Sequence, residues 1–248
     1  MKTKMNKSGG FRLFKPMAAL LVGGLLIGAT GCSTTRQMGQ DASSQSGFLG
    51  DYSMLKKGAK GEANYIYIDP AVNYAKYTKI WIKSIALWRS DDPDSPLGKM
   101  SPENEQLLLS YLHTALVNNL QTELQIVDQA GPDVLVMQAA VTEAKPSKPV
   151  LNLVTSAWLP LKAASFGKRL ATGSDIAVGS VLVEASFTDG QTGQRVAAVM
   201  DARVGTKAMR SKFDGTWGDV KLAFDWWAQR LALRISLLKE GDLSPDKL

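Results

Sequence analysis

Six apolar residues near the C-terminal end, Val220, Phe224, Trp227, Leu231, Ile235 and Leu238, step by 4, 3, 4, 4 and 3 positions. That spacing sets them on one face of an α-helix of about five turns. Lys221, Asp225, Gln229 and Arg230 fall on the other face. A helix patterned this way must lay its apolar stripe on another layer of structure. Thr216 or Asp219 is placed to cap it.

A second helix is written after Ser101-Pro102, an N-cap residue followed by proline at the first helical position. Glu103 and Glu105 then stand near the positive end of its dipole. Leu108, Leu112, Ala115, Leu116 and Leu120 share one face, and the pattern stops near Leu124. Between the helices the period changes to that of strands. Lys79 to Trp88 is dense in β-branched and aromatic residues, and Gln125–Val127 reads as a short strand. Asp133 to Thr142 is almost continuously apolar, the mark of a strand buried on both faces. Ser180 to Thr188 places Val181, Val183, Ala185 and Phe187 on one face. Asp189-Gly-Gln-Thr-Gly193 is a turn of hairpin length, and Arg195 to Val204 returns. The expectation is a single α+β domain over residues 47–248. It is a two-layer sandwich, a mainly antiparallel sheet with two helices packed on one face and room for one parallel pairing.

The N-terminal region constrains location. Residues 1–31 hold five basic residues (Lys2, Lys4, Lys7, Arg12 and Lys15) and no acidic one. The run Met17 to Ala29 is apolar for 13 residues, short of the roughly 18–20 that span a bilayer as a helix. This pattern predicts a signal peptide over 1–31. It ends in Ala29-Thr30-Gly31-Cys32, which resembles a bacterial lipobox and contains the only cysteine of the chain. The resemblance implies cleavage between Gly31 and Cys32 and lipid attachment at Cys32 through a diacylglyceryl thioether with further acylation. Several acyl chains anchor far more firmly than one. Ser33, where Asp favours inner-membrane retention in enterobacteria, points to the outer membrane. Residues 33–46 are polar and rich in Ser, Gln and Thr, so 32–46 reads as a flexible tether reaching about 20 Å on average.

The net charge of +6 belongs mostly to this leader. Without it, 24 basic residues face 23 acidic ones, and no downstream Lys/Arg cluster suits a nucleic acid.

Several further segments, in order behind the lipobox, resemble a bacterial lipoprotein family known as domain-of-unknown-function family 3313. They are Gly47-Phe-Leu-Gly-Asp-Tyr-Ser-Met-Leu55, Tyr67-Ile-Asp-Pro70, Gly179-Ser-Val-Leu-Val-Glu184 and Asp189-Gly-Gln-Thr-Gly193. The resemblance spans roughly the whole secreted part. It implies an envelope location and a shared fold, and it supplies no catalytic residues.

Chemistry-bearing patterns are sparse. Ser-x-x-Lys occurs at Ser53/Lys56, Ser165/Lys168, Ser236/Lys239 and Ser244/Lys247, without the partner motifs of penicillin-binding enzymes. There is no G-x-S-x-G elbow, Walker loop or G-x-G-x-x-G. His113, the one histidine, sits between apolar helix positions and reads as a partly buried structural residue. Asp91, Asp92 and Asp94 lack an EF-hand pattern and read as a solvated turn. No cofactor or metal is expected.

Two features suit contact without chemistry. Val150 to Leu170, with Trp158 and Phe166, either packs on the core as a helix broken at Pro160 or exposes an apolar patch for a partner or lipid. Trp226 falls off the centre of the helical stripe and is the third candidate contact. The expected function is therefore non-enzymatic: an outer-membrane-anchored periplasmic lipoprotein that binds an envelope protein or peptidoglycan, or has a structural role. The alternatives are an envelope hydrolase with an unfamiliar site, and a small-ligand or lipid carrier with an apolar cavity of several hundred Å³.

Overall fold

The computed structural model describes residues 35–39, 45–89, 96–147, 179–205 and 215–244. Gly31, Cys32, Trp158, Phe166, the apolar stretch 150–170 and Asp91, Asp92 and Asp94 lie outside them.

Eight strands form one sheet: β1 (Thr35–Gln37), β2 (Lys56–Lys57), β3 (Tyr65–Ile68), β4 (Lys79–Leu87), β5 (Gln125–Val127), β6 (Val134–Lys145), β7 (Ser180–Asp189) and β8 (Arg195–Gly205). Their order is β2-β3-β8-β7-β6-β4-β5, and β1 also pairs with β8. β1 and β3 share one edge of β8. β1 takes Arg203 to Gly205 and β3 takes Ala197 to Met200. All pairs are antiparallel except β4 with β5 and β4 with β6. Helix α1 (Pro102–Leu120) lies in the β4-to-β5 connection, and a helical crossover is what a parallel pair requires.

Helices α1 and α2 (Gly218–Lys239) cover one face of the sheet. The core they close contains the predicted stripes. Leu108, Leu112, Leu116 and Leu120 of α1 meet Val220, Phe224, Ile235 and Leu238 of α2, over Val181, Val183, Ala185 and Phe187 of β7. Phe224 and Leu120 are wholly buried, and each such side chain contributes about 1.5–3 kcal/mol. The fold is α+β with both helices on one face, as the periodicity predicts. A smaller cluster of Leu182, Met200 and Ala202 lies on the opposite face, under Met38, Tyr52 and Tyr65. Among the described residues no helix is long and apolar enough to cross a membrane.

Strand direction gives the sheet two distinct ends. At one end lie the finish of β6 and β8, the start of β7 and the first residue of β1. The start of α2 joins them, because Ser147 N donates to Thr216 O and Gly205 N to Gly179 O, each at 2.8 Å. At the other end lie the starts of β4 and β6 and the turn 190–193 between β7 and β8. Gly193 adopts φ 72° in that turn, a conformation that favours glycine.

Three expectations are corrected. Thr35–Gln37, inside the polar stretch read as a tether, is a strand: its main chain pairs with β8, a demand that composition does not reveal. The N-cap of α2 is Trp217, with no side-chain cap. Asp219 instead turns back to accept Gly179 N at 2.7 Å and Ser147 Oγ at 2.8 Å. A side chain at Gly205 would collide with that carboxylate, its Cβ falling 2.3 Å from Asp219 Cγ. His113 is exposed, because its neighbours Leu112 and Leu116 take the buried face of α1.

Candidate functional site

The end of the sheet that carries the start of β4 and β6 opens into a groove of about 860 Å³. Its walls are the first residues of β4 and β6, strand β5, the 128–133 loop and His113 of α1. Trp81 lines it, and Lys83 Nζ stands 5.6 Å from the centre of that ring. Asp133 accepts Thr78 Oγ1 at 2.6 Å and pairs with Lys79 at 3.0 Å. Those two donors hold its carboxyl below the usual range. The groove thus combines an aromatic ring, a polar loop and an edge strand. His113 makes no hydrogen bond to a hydroxyl or carboxylate among the described residues.

Of the serine–lysine pairs, Ser53/Lys56 and Ser236/Lys239 are described; Ser165, Lys168 and Lys247 lie outside the described residues. Ser53 and Lys56 are exposed in the segment around β2. Lys239 donates to Glu123 O at 2.8 Å, across from α1. Among the described residues no three His, Cys, Asp or Glu side chains gather as a metal site. An apolar cavity between the sheet and α2, bordered by Tyr74, Tyr77 and Phe187, measures about 60 Å³. That is far below the volume a lipid carrier needs.

The second constellation lies along the edge of β8 and holds the N-terminal part of the body in place. Arg203, 4 % exposed, donates from Nε to Thr35 Oγ1 and from Nη2 to Thr35 O, both at 2.9 Å. Its guanidinium lies 3.5 Å from the centre of the Trp226 ring, and that of Arg230 lies at 5.1 Å. Trp226 is thus half-buried in a cation–π stack beside β1. Burial lowers the Arg203 pKa to about 10, against the opposing charge of Asp201, and leaves it cationic at neutral pH.

Asp201 is the centre of the edge. It accepts Gln37 Nε2 at 2.8 Å, Asn64 N at 2.9 Å and Trp227 Nε1 at 2.7 Å. One carboxylate therefore links β1, β3 and α2. Burial raises its pKa, and these donors oppose the rise. On the opposite face of the sheet Glu184, fully buried, accepts Tyr52 OH at 2.6 Å and Ser46 N at 3.0 Å. Arg195 adds bonds to Leu49 O at 2.6 Å and Asp51 O at 2.7 Å.

These contacts join segments that lie far apart in sequence. Tyr52 belongs to the Gly47–Leu55 motif and Glu184 to the Gly179–Glu184 motif, and the Tyr52 hydroxyl donates to the Glu184 carboxyl. Asp189, which opens the third motif, accepts Lys76 Nζ at 2.6 Å, Tyr77 OH at 2.9 Å and the amides of Gln191 and Thr192. Burial works to raise its pKa, yet these donors outweigh it and hold the carboxyl far below the ordinary range. Periodicity does not reveal the edge residues Thr35, Asp201 and Arg203 or the groove residues Trp81 and Asp133. The legible signal is a charge inside an apolar strand: Glu184, Asp201 and Arg203 each break such a run.

Two helices on one face of a mixed, mostly antiparallel sheet, with a groove at one end and a buried polar edge, define an α+β two-layer domain without a recognisable catalytic set among its described residues. The chain belongs to the family described as Protein of unknown function (DUF3313), whose model matches residues 44–231. No curated protein matches it. Solved structures similar to it include the PelC dodecamer from Paraburkholderia phytofirmans, with 16% identity, 72% of this chain and 96% of that chain covered and a TM-score of 0.35. A minor lipoprotein from Acinetobacter baumannii shows 15% identity, 64% and 93% coverage and a TM-score of 0.29. A lipoprotein from Neisseria meningitidis shows 11% identity, 64% and 98% coverage and a TM-score of 0.30.

Proposed function

We propose that this chain is a bacterial lipoprotein with a non-catalytic binding role in the cell envelope. Residues 1–31 are its signal peptide, Cys32 carries the lipid, and the domain that follows stands on the periplasmic side of the outer membrane. The observation that carries the reading is the position of the only cysteine. It follows Ala29-Thr30-Gly31 directly, behind a basic segment and 13 apolar residues. Ser33 supports outer-membrane sorting.

The groove beside β5 supports the binding role. Its mixed lining and free strand edge suit a protein segment or a peptidoglycan strand. Trp158, Phe166 and Trp226 are further contact residues under this reading.

Metabolic labelling with a palmitate analogue tests it. The native chain is expected to take up label and fractionate with outer membranes. Cys32→Ser is expected to lose the label and leave the membrane fraction. Undiminished label or unchanged fractionation in Cys32→Ser would overturn the reading.

A further inference from the structure

We infer that the Gly205 end of the sheet rests on the lipid headgroups of the bilayer that holds Cys32, with Trp217 facing that layer. The inference rests on the acylation of Cys32 proposed above and adds an orientation to it.

Covalent reach is the first support. Thr35 pairs with Gly205 and is gripped by Arg203. Two residues separate it from Cys32, and three Cα-to-Cα steps of 3.8 Å span at most about 11 Å. A headgroup layer is about 5–7 Å thick on each side of the hydrocarbon. A lipid-bearing Cys32 at the hydrocarbon boundary therefore leaves Thr35 within a few ångströms of the headgroup surface. A free tether of 14 residues would allow about 20 Å on average. Pairing of β1 with β8 removes that slack and fixes which end of the body meets the membrane.

An aromatic residue found at that end is the second support. Trp217, at the start of α2, is half-buried and donates to Asn104 Oδ1 at 3.0 Å. Tryptophan favours the membrane–water interface, where an apolar ring with one polar edge matches its surroundings. The groove beside β5 lies at the opposite end of the strands, so the same orientation turns it away from the bilayer.

The test uses the mature, acylated protein in vesicles of phosphatidylethanolamine and phosphatidylglycerol. Cys32 is blocked by its thioether, so an introduced cysteine is the one free thiol and takes a fluorophore. Thr216→Cys probes the Gly205 end and Gln191→Cys the far turn; both positions are exposed. The length of β8 separates them by about 30 Å. A nickel-chelating headgroup lipid is the quencher. Quenching several-fold stronger at position 216 than at 191 is expected. Equal quenching, or the reverse order, with the mass of acylated Cys32 confirmed, overturns the orientation and leaves the anchor standing. A bare Cys32 overturns both.

Discussion

Arg203 holds Thr35 by two hydrogen bonds of 2.9 Å while its guanidinium carbon lies 3.5 Å from the centre of the Trp226 ring. One buried cation thus fastens the first strand of the body to the sheet edge and to α2. Arg203→Met removes both of the guanidinium's bonds to Thr35. We expect a stability loss of about 2–4 kcal/mol by urea denaturation. Faster amide exchange at Met38, whose N–H bonds Ala202 O, should accompany it. Arg230→Met, on the same ring but without the strand contacts, should cost less than about 1 kcal/mol. Equal losses in the two variants would contradict the role given to Arg203.

Tyr52 and Glu184 form the corresponding clasp on the other face. Tyr52→Phe withdraws a hydroxyl donor from a fully buried carboxylate and should cost about 1–3 kcal/mol. Glu184→Gln changes the same bond from the other side. The double variant should therefore be less destabilised than the sum of the single ones. Additive losses in a denaturation cycle would show that the two do not act as a unit.

The Trp227 indole donates to the Asp201 carboxyl at 2.7 Å. Trp227→Phe should destabilise by about 1–3 kcal/mol at the high end of the pH range, where the charged form of Asp201 is most populated. Burial already raises the Asp201 pKa, so losing this donor raises it further. The penalty should shrink as the pH falls and the carboxyl takes a proton. A pH-independent penalty would contradict this.

Glu143 sits beside the irregularity in β6, where burial raises its pKa to about 7 against the opposing charge of Lys145. A carboxyl with a raised folded pKa binds more protons folded than unfolded between pH 4.5 and 7. Its contribution to stability is therefore largest below pH 4.5 and falls as the pH rises through 7. Glu143→Gln should flatten that decline and stabilise the protein at pH 8. Thermal melts across this range check the prediction, and an unchanged slope would refute it.

The periodic parts of this fold are legible because each pattern has one geometric solution. The 4-3-4-4-3 stripe of α2 and the alternation of Val181, Val183, Ala185 and Phe187 leave little choice about which side faces the core. The edge is different. Thr35–Gln37 and Lys56–Lys57 are too short and polar to carry a period; the first is a strand because β8 supplies a partner from a distant part of the chain, the second because it pairs with the nearby β3. Asp201 and Arg203 stand out in sequence only as charges within a strand. Their partners Gln37, Asn64, Thr35 and Trp226 emerge once the sheet is assembled. His113 shows the same limit from the other side: its neighbours in sequence are apolar, yet its own position on α1 is solvent-facing.

Mass spectrometry of the N-terminal peptide from the native, membrane-extracted protein tests the central claim most directly. The account predicts a mature chain that begins at residue 32, its mass raised by a diacylglyceryl group and further acyl chains on that cysteine. A free thiol at Cys32, or a chain in which Gly31 is still joined to it, would contradict the account.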